Sequence, residues 1–450
     1  MTSAAGTPGS IFSMLQRAFG DAEMEAIFSE EATVDAWLRT EAALALSQAE
    51  VGELSATRAE AIAAVCTLEH VDLPALWADM GNVGYPILPL VRQLTDRLPE
   101  SERGSLHYGA TTQDIMDTGL SLQLEGAITR LSTLLDVLGD ALADQAEAHA
   151  DTVIAGRTHG QQAVPTTFGA KLATFLQQCT RLRSDLASSR GVCCLVSLHG
   201  AAGTSAGFGP RIGEVRAATA RRLGLLDAPA PWHVTRDGLA TFGAVCARAA
   251  AMTARLAREV IDLSRTEIGE VSESTGHHRG ASSTMPQKAN PIDSEAIVGM
   301  AASVTVMSAS LYRAMEAGHE RAAGEWQIEW HQLPQVAVLT AGCLLIAGRV
   351  VRQLNVDPER MAANLAAEQG RTLAEAYMFE LAPELGREVA HDYVYEAATR
   401  SKAEGSELRD VLQEMAGGRH AVREIRPPDY TGQAREDALR AIREWRHDRG

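Results

Sequence analysis

The sequence has few aromatic residues and a shortage of basic side chains relative to acidic ones. Aromatics make up 5 % of its 450 residues, and 58 Asp and Glu outnumber 41 Lys and Arg, for a formal net charge of -17. Such a chain is a poor partner for a nucleic-acid backbone or an anionic membrane surface. A small anionic substrate stays compatible with it, because one pocket can be positive inside an acidic protein.

Cysteine patterns and targeting segments are also lacking. The six cysteines include no CxxC pair and no Cys/His spacing typical of zinc, so we expect no metal and buried, reduced thiols. The N-terminus has no basic segment followed by an apolar run. We expect no segment to reach the length of a membrane span. Together these absences predict a soluble, cytoplasmic protein.

Helical periodicity dominates what is present. Alternating strand patterns are scarce, and apolar residues recur at three- and four-residue intervals. One such stripe consists of Leu131, Leu134, Leu135, Leu138 and Leu142. We therefore predict an all-α protein, with long helices between 114 and 199 and between 238 and 270. Helices of that length need partners for their apolar faces, so we expect a bundle, formed between subunits.

Breaks in this pattern predict three domains. We place an N-terminal helical domain at 1–106, a central helical-bundle domain at 107–352 and a C-terminal helical domain at 353–450. The segment "NVDPERM" (355–361) is interpreted as the linker into the last of these.

Four polar segments interrupt the helices. They are "HYGATTQDIMDT" (107–118), "GRTHGQQAVPTTFG" (156–169), "HGAAGTSAGFG" (199–209) and "GASSTMPQKANPIDSE" (280–295). The third lacks the Lys and Ser/Thr of a P-loop and follows no evident strand, which favours a tight turn over a phosphate site.

The other three segments each allow a structural and a functional interpretation. Thr111 and Thr112 suit a capped helix start, or a helix terminus that binds a carboxylate. His159 has polar neighbours and no apolar periodicity to bury it. A serine near Lys288 could act as nucleophile or base, although no GxSxG elbow supports a serine hydrolase. Gly276 and Gly280 would let that segment move as a lid.

These segments carry a family resemblance. "ASSTMPQKANPIDSE" resembles the GSSxMPxKxN signature of the aspartase/fumarase superfamily, and "GATTQDIMDT" and "GRTHGQQAVPTTFG" resemble its first and second conserved blocks. "HERAAGEWQIEWHQLP" (319–334) and the N-terminal region resemble the branch of 3-carboxy-cis,cis-muconate cycloisomerase and adenylosuccinate lyase.

The resemblance implies a fold and a reaction. The fold is an all-helical, three-domain subunit whose long central helices form the core of a homotetramer, with each active site shared by three subunits. The reaction is β-elimination from a substituted succinate, a small dicarboxylate, to release fumarate. It uses no metal or organic cofactor.

The same resemblance assigns catalytic roles. Ser282 would remove the proton as its alkoxide, and Lys288 and Asn290 would stabilise the developing negative charge. His159 would act as general acid, oriented by Glu295. The remaining predicted substrate-binding residues are Thr111, Thr112, Thr158, Gln161, Ser283 and Arg321.

Departures from the family pattern bear on the leaving group. "PWHVTRD" (231–237) replaces the "PWHTQRD" of the cycloisomerase branch, and Ala281 replaces a Gly. His159, which bacterial cycloisomerases commonly lack, favours an elimination lyase. The chain has no "HDV" block in its first domain, which argues against an adenylate leaving group.

The leading hypothesis is therefore a carbon–nitrogen lyase that releases ammonia, an amine or nitrite, with a nitrosuccinate-lyase-like role reached by exclusion. The alternatives are 3-carboxy-cis,cis-muconate cycloisomerase and an adenylosuccinate lyase-like enzyme. A third is an inactive structural or binding member of the fold, which the retained site residues count against.

Overall fold

The computed structural model describes residues 13–274, 279–285, 287–419 and 421–449. Gly276, one of the two predicted hinge glycines, lies outside the described residues. Within them the chain is overwhelmingly helical, which confirms the all-α prediction.

The helices are α1 Met14–Phe19, α2 Ala22–Ile27, α3 Glu30–Glu50, α4 Ala56–Val65, α5 Leu73–Val83, α6 Ile87–Arg97, α7 Thr112–Ala148, α8 Phe168–Cys193, α9 Ile212–Leu223, α10 Asp237–Leu263, α11 Ile292–Ala314, α12 Glu325–Arg352, α13 Pro358–Ala366, α14 Ala374–Leu385, α15 Arg387–Glu404, α16 Leu408–Ala416 and α17 Ala434–Arg449. The strands are β1 Val153–Thr158, β2 Gln161–Thr167, β3 Leu195–Val196, β4 Leu226–Asp227, β5 Val271–Ser272 and β6 Asn355–Val356. They pair as β1–β2 and β5–β6, both antiparallel, and as β3–β4, which is parallel.

The chain forms two compact units. The first holds the described residues up to 134 together with 182–251 and 299–345, and the second holds those of 135–181, 252–298 and 346–450. Each of the five longest helices, α7, α8, α10, α11 and α12, contributes residues to both units. The predicted three-domain division stays a prediction.

Side-chain caps define several helix starts in the first unit. Asp21, Ser29 and Asp72 precede α2, α3 and α5, and each accepts a hydrogen bond from a backbone N–H of the first turn. These N–H groups have no partner within the helix, so a short polar side chain placed just before it stabilises that end. Helix α3 buries one face in the core of this unit, where Trp37 and Leu38 contact residues of α4 to α6.

One core cluster of the second unit is built by α14, α15 and α16, with Tyr377, Val394 and Leu412 among its buried residues. Trp445 of α17 is fully buried and packs on α7, where a Cβ added at Gly139 would lie 2.1 Å from the indole ring. Its Nε1 donates a hydrogen bond of 2.9 Å to the Asp140 carboxylate. This side chain, together with ion pairs from Arg446 and Arg449 to acidic residues of α7, holds the last helix in place.

A β-hairpin separates the two long helices between 114 and 199, where helices alone were expected. Strands β1 and β2 occupy 153–167, a stretch rich in β-branched residues that favours strands. The connection is His159-Gly160, with φ of 52° and 75°. Two consecutive positive φ values define the tight turn whose twist suits a two-residue hairpin. Histidine tolerates this left-handed conformation better than most residues with a Cβ.

Two helices correct the expectation about membrane-span length. Helices α11 and α12 are both long and apolar enough to cross a bilayer by length and composition alone. Of the apolar window in α12, 78 % is buried inside the protein, as in a core helix. All six cysteines are buried and none is in a disulfide, as predicted.

We predict that Trp445→Ala destabilises the protein by about 3–5 kcal/mol, because it leaves a cavity beside Gly139 and removes the bond to Asp140. Urea unfolding followed by circular dichroism measures the change. The matched control is Phe379→Ala, whose ring is 52 % exposed, and its effect should stay within about 0.5 kcal/mol. Equal effects of the two variants would contradict this account of α17.

Candidate active site

In the first unit, Arg321 contacts Thr111 of the polar segment 107–118. Arg321 Nη1 donates to Thr111 Oγ1 at 3.2 Å, and Nη2 donates to the Ala201 carbonyl at 3.1 Å. Thr112 is the first residue of α7 and is half-buried, like Thr111. A guanidinium and two hydroxyls beside a helix N-terminus form a surface suited to a carboxylate.

The Asp114 carboxylate lies fully buried in the first turn of α7 and accepts hydrogen bonds from three separate segments. Its partners are Thr111 N (3.1 Å), His199 N (2.9 Å), Gly200 N (2.9 Å), Ser197 Oγ (3.4 Å) and His233 Nε2 (2.8 Å). It therefore holds the 107–112 loop, the 197–200 segment and the 231–237 segment together. Burial lowers the pKa of nearby His199 to about 4, with a further contribution from Arg216, so that imidazole is neutral at neutral pH.

Three of the letters that "PWHVTRD" shares with the family pattern, Trp232, His233 and Arg236, are buried. Arg236 is 3 % exposed and lies between two carboxylates. Its Nη1 and Nη2 donate to Asp117 at 2.8 and 3.0 Å, and its Nε donates to Glu329 at 2.8 Å. The two departures from the family pattern avoid this network, since Val234 is half-buried and Thr235 is exposed. The structure leaves the inference about the leaving group as a prediction.

A buried histidine–carboxylate pair lies in the same unit, just before Thr111. His107 has a φ of 60°, and its Nδ1 is 2.6 Å from Glu41 Oε1 on α3. Burial alone would lower the pKa of His107, but the Glu41 carboxylate outweighs it and raises that pKa above the ordinary value. This residue is therefore held closer to its charged form than a solvated histidine would be.

In the second unit the β1–β2 hairpin presents Thr158, His159 and Gln161 at an exposed tip. Arg157 anchors the tip through two hydrogen bonds of 2.7 and 2.8 Å to the buried Glu270 carboxylate. A bidentate pair of this kind fixes orientation as well as distance. The strained turn at His159 is thus held on a rigid base, which is common where a side chain is presented to a ligand.

The described residues of 280–290 form a loop, called the signature loop below, whose two ends are hydrogen-bonded to each other. Asn290 donates to the Gly280 carbonyl twice, from its backbone N at 2.9 Å and from Nδ2 at 3.0 Å. Gly280 has a φ of 67°, and a Cβ there would lie 2.5 Å from the Asn290 carbonyl oxygen. Ala281 and Ala289, the next residues inward from this pair, form a β-bridge. In this structure the Asn290 amide therefore closes the loop, while its predicted contact with substrate stays a prediction.

Ser282 lies at the start of this loop and its hydroxyl oxygen faces backbone donors. Ser282 Oγ accepts from Met285 N at 3.1 Å and from Thr284 N at 3.3 Å. Hydrogen bonds from N–H groups stabilise a negatively charged oxygen more than a neutral one and so favour ionisation. Ser283 and Lys288 are exposed on the same loop.

The helix that follows the loop is firmly anchored. Glu273 accepts from the backbone N–H groups of Asp293 and Ser294 at 3.2 and 2.8 Å, which caps the start of α11. The buried Asp293 carboxylate is paired with both Arg279 and Arg349. Glu295, in the same first turn, is exposed.

The predicted residues thus form three groups. Arg321 contacts Thr111 beside Thr112, the hairpin carries His159 with its two polar neighbours, and one loop carries Ser282, Ser283, Lys288 and Asn290. Among the described residues, no hydrogen bond or ion pair joins His159 to Glu295, and their predicted interaction stays a prediction.

Sequence reasoning missed the residues that hold these groups in place. They are Glu41, His107, Asp114, Asp117, His233, Arg236, Glu270, Glu273, Asp293 and Glu329. Buried charged residues must be paired, so Asp, Glu and Arg inside otherwise apolar helical stretches were the available signal. In the described part of the chain, no group of three or more His, Cys, Asp or Glu could hold a metal ion.

Comparisons with known proteins bear on the family. A family model described as a lyase matches residues 20–306. The chain is 40 % identical over 436 residues to a 3-carboxy-cis,cis-muconate cycloisomerase of Pseudomonas aeruginosa, which covers 95 % of each chain. The chain belongs to the aspartase/fumarase superfamily.

Two further relatives of this superfamily are informative. The crystal structure of a 3-carboxy-cis,cis-muconate lactonizing enzyme from Pseudomonas putida matches with a TM-score of 0.90 and 37 % identity, over 97 % of this chain and 100 % of that one. An N-acetyl-S-(2-succino)cysteine lyase of Enterococcus italicus is 34 % identical over 441 residues, 96 % of each chain. The superfamily assignment and the enzyme class, lyase or cycloisomerase, are confirmed.

The prediction of a carbon–nitrogen lyase has less support than the superfamily assignment. Relatives of this superfamily branch favour the cycloisomerase alternative over the carbon–nitrogen lyase that led the sequence interpretation. None of the three relatives supports nitrite as a leaving group.

We predict that Asp114→Asn destabilises the protein by about 1–3 kcal/mol, since the new amide nitrogen would face donors that need an acceptor. Chemical denaturation measures the loss. Asp79→Asn, on the exposed face of α5, is the matched control and should be close to neutral. An Asp114→Asn protein as stable as this control would refute the role of Asp114 as the junction of three segments.

We predict that Glu41→Gln lowers the pKa of His107, because burial is then opposed only by the smaller effect of the Asp114 carboxylate. The native pair stabilises the fold fully below the unfolded-state pKa of 6.5, and that contribution is lost as the pH rises through the higher folded-state value. An NMR titration of the imidazole protons tests this, with exposed Glu31→Gln on the same helix as control. An unchanged His107 pKa in Glu41→Gln would contradict the assignment.

Proposed function

We propose that this protein catalyses the cycloisomerisation of 3-carboxy-cis,cis-muconate, the addition of a carboxylate oxygen to a carbon–carbon double bond within one molecule. The observation that carries the proposal is the similarity along nearly the whole chain to the Pseudomonas cycloisomerase and lactonizing enzyme. The substrate class is accordingly a small polycarboxylate.

This reaction is a β-elimination run in reverse. A C–O bond forms at the carbon β to a second carboxylate, and the π electrons of the double bond move to the α carbon, which takes a proton. Substrate and product are isomers, so no other reactant is consumed. By microscopic reversibility, the group that acts as base in an elimination is the proton donor in the addition.

Ser282 is the proposed group that exchanges this proton. The two backbone N–H groups on its Oγ support the role, because they stabilise the alkoxide left after the proton is given up. Transition-state charge builds on the second carboxylate, where Lys288 and Asn290 are the proposed stabilising groups.

Arg321 is the proposed main anchor for a remote carboxylate. Its contact with Thr111 Oγ1 and the adjacent start of α7 supports that role. Thr112, Thr158, Gln161 and Ser283 remain proposed substrate-binding residues at the helix start, the hairpin and the loop.

We further propose that a complete site needs several chains. In the described single chain, Glu295 and His159 are both exposed and make no hydrogen bond to each other. A homotetramer with sites shared between subunits, as the resemblance implies, would let Glu295 of one chain orient His159 of another. The three groups of site residues would then face one substrate.

We also propose a cytoplasmic location. It is supported by the six buried cysteines, none of which is in a disulfide.

Elimination from a succinyl thioether is the second candidate. It is supported by the similarity to the Enterococcus succinocysteine lyase and by His159, which would protonate the departing sulfur. A proton donor for a leaving group has no counterpart in cycloisomerisation, where the adding carboxylate needs no proton.

We predict that Ser282→Ala lowers kcat for 3-carboxy-cis,cis-muconate by at least about 100-fold, because the proton donor is lost. Loss of the ultraviolet absorbance of the conjugated diene follows the reaction. Ser184→Ala, an exposed serine on α8, is the matched control and should retain full activity.

The same preparation is then given N-acetyl-S-(2-succino)cysteine, with fumarate release as the readout. Turnover of the thioether without turnover of the muconate would replace the first candidate by the second. If the native protein converts neither the muconate nor the thioether, the inactive structural or binding role becomes the favoured hypothesis.

A further inference from the structure

The first unit contains an aromatic cavity of about 260 Å³ that none of the predicted site residues lines. Its walls include Trp37 of α3, Trp77 of α5, and Trp326 and Trp330 of α12. These are four of the six tryptophans in the whole chain, which is otherwise poor in aromatics. A volume near the lower end of small-molecule sites restricts any occupant to a few heavy atoms.

The indole rings stand at steep angles to one another. Trp326 and Trp330 have ring centroids 5.0 Å apart at 79°, and Trp37 and Trp77 are 6.2 Å apart at 70°. Tyr85, which does not line the cavity, stacks on Trp326 at 5.7 Å and 22°. The cavity is therefore bounded by π surface on more than one side.

The two half-buried tryptophans offer carbon rather than N–H to this space. The Nε1 atoms of Trp77 and Trp330 are buried, although each residue as a whole is partly exposed. The accessible part of each indole is thus its ring surface. Neither Nε1 has a hydrogen-bond partner among the described residues, and neither is accessible to solvent, so a ligand would first meet the ring carbons.

The charged residues of the cavity wall also disfavour a carboxylate or another anionic ligand. Asp117 and Glu329 both line it, and Arg236, which pairs with both, does not. Two carboxylates share one guanidinium, so this buried triad carries excess negative charge when both carboxylates are ionised. Burial raises the pKa of Glu329 above its ordinary value, so that excess decreases as the pH falls. An anion is repelled from such a wall, and a cation is attracted to it.

We propose that this cavity binds a small organic cation whose charge lies on a methylated ammonium group. Tryptophan faces attract such cations through the negative potential of the ring, and methyl groups bury apolar surface that a bare ammonium lacks. The net negative triad adds a long-range attraction from behind the rings. Since the substrates proposed above are polycarboxylates, this is a separate site with the opposite charge preference.

The test compares a cation with its neutral isostere on the full-length protein. Tetramethylammonium and choline are titrated while tryptophan fluorescence is recorded, and 3,3-dimethylbutan-1-ol, in which carbon replaces the ammonium nitrogen of choline, is titrated at the same ionic strength. We expect saturable binding of the two cations and about tenfold weaker binding of the neutral alcohol. Benzoate, an aromatic anion, should not bind.

Variants locate the site. Trp330→Leu should weaken choline binding about tenfold, whereas Trp330→Phe, which keeps a smaller π face, should weaken it less. The control is Tyr395→Leu, an aromatic residue that is 68 % exposed on α15 and should bind choline like the native protein. Circular dichroism confirms that each variant is folded before it is titrated.

Three results would overturn the proposal. One is equal affinity for choline and its neutral isostere, which would make the cavity merely apolar. Another is tighter binding of benzoate than of either cation. The third is choline affinity that Trp330→Leu leaves unchanged, or that is absent in the native protein.

Discussion

Two buried carboxylates in the first two turns of α7 organise the first unit. Asp114 and Asp117 are one helical turn apart, and both hold the 231–237 segment, through His233 and Arg236 respectively. A buried charge is costly unless it is paired, so each carboxylate determines where its partner segment must lie. Thr111 is hydrogen-bonded to Asp114 by its backbone N–H and contacts Arg321 by its side chain. The proposed carboxylate anchor therefore depends on a buried residue outside the proposed substrate-binding set.

Ion pairs between a buried carboxylate and an arginine also position segments of the second unit. Glu270 holds the hairpin through Arg157, and Asp293 holds the base of the signature loop through Arg279 and Arg349. In both places an acidic residue lies in the interior and an arginine reaches it from a polar segment. The predicted catalytic side chains themselves are exposed or half-buried. Rigid buried pairs thus position side chains that stay accessible to substrate.

Sequence patterns gave the helical class and the polar segments because apolar periodicity and glycine-rich signatures are local. The hairpin at 153–167 escaped prediction because its strands show no regular alternation of apolar and polar residues, and the turn is set by the conformation of His159 and Gly160 rather than by an Asn-Gly pair. The pairs His107–Glu41 and Arg157–Glu270 join residues 66 and 113 positions apart. No spacing rule reaches that far without an alignment. The relatives favour the cycloisomerase alternative over the lyase that led the sequence interpretation. That preference had rested on His159 and on the missing HDV block, and neither feature reads the leaving group directly.

The donors on Ser282 are main-chain groups, and this has an evolutionary consequence. The amides of Thr284 and Met285 donate to the serine oxygen, and the Thr284 hydroxyl also lies 3.5 Å from it. Proline is excluded at both positions, because it carries no N–H. The stabilisation of negative charge on Ser282 Oγ is therefore inherited mainly through the shape of the loop rather than its composition. Members of the superfamily could diversify these two positions toward new substrates while keeping the main-chain donors to the group proposed to move the proton.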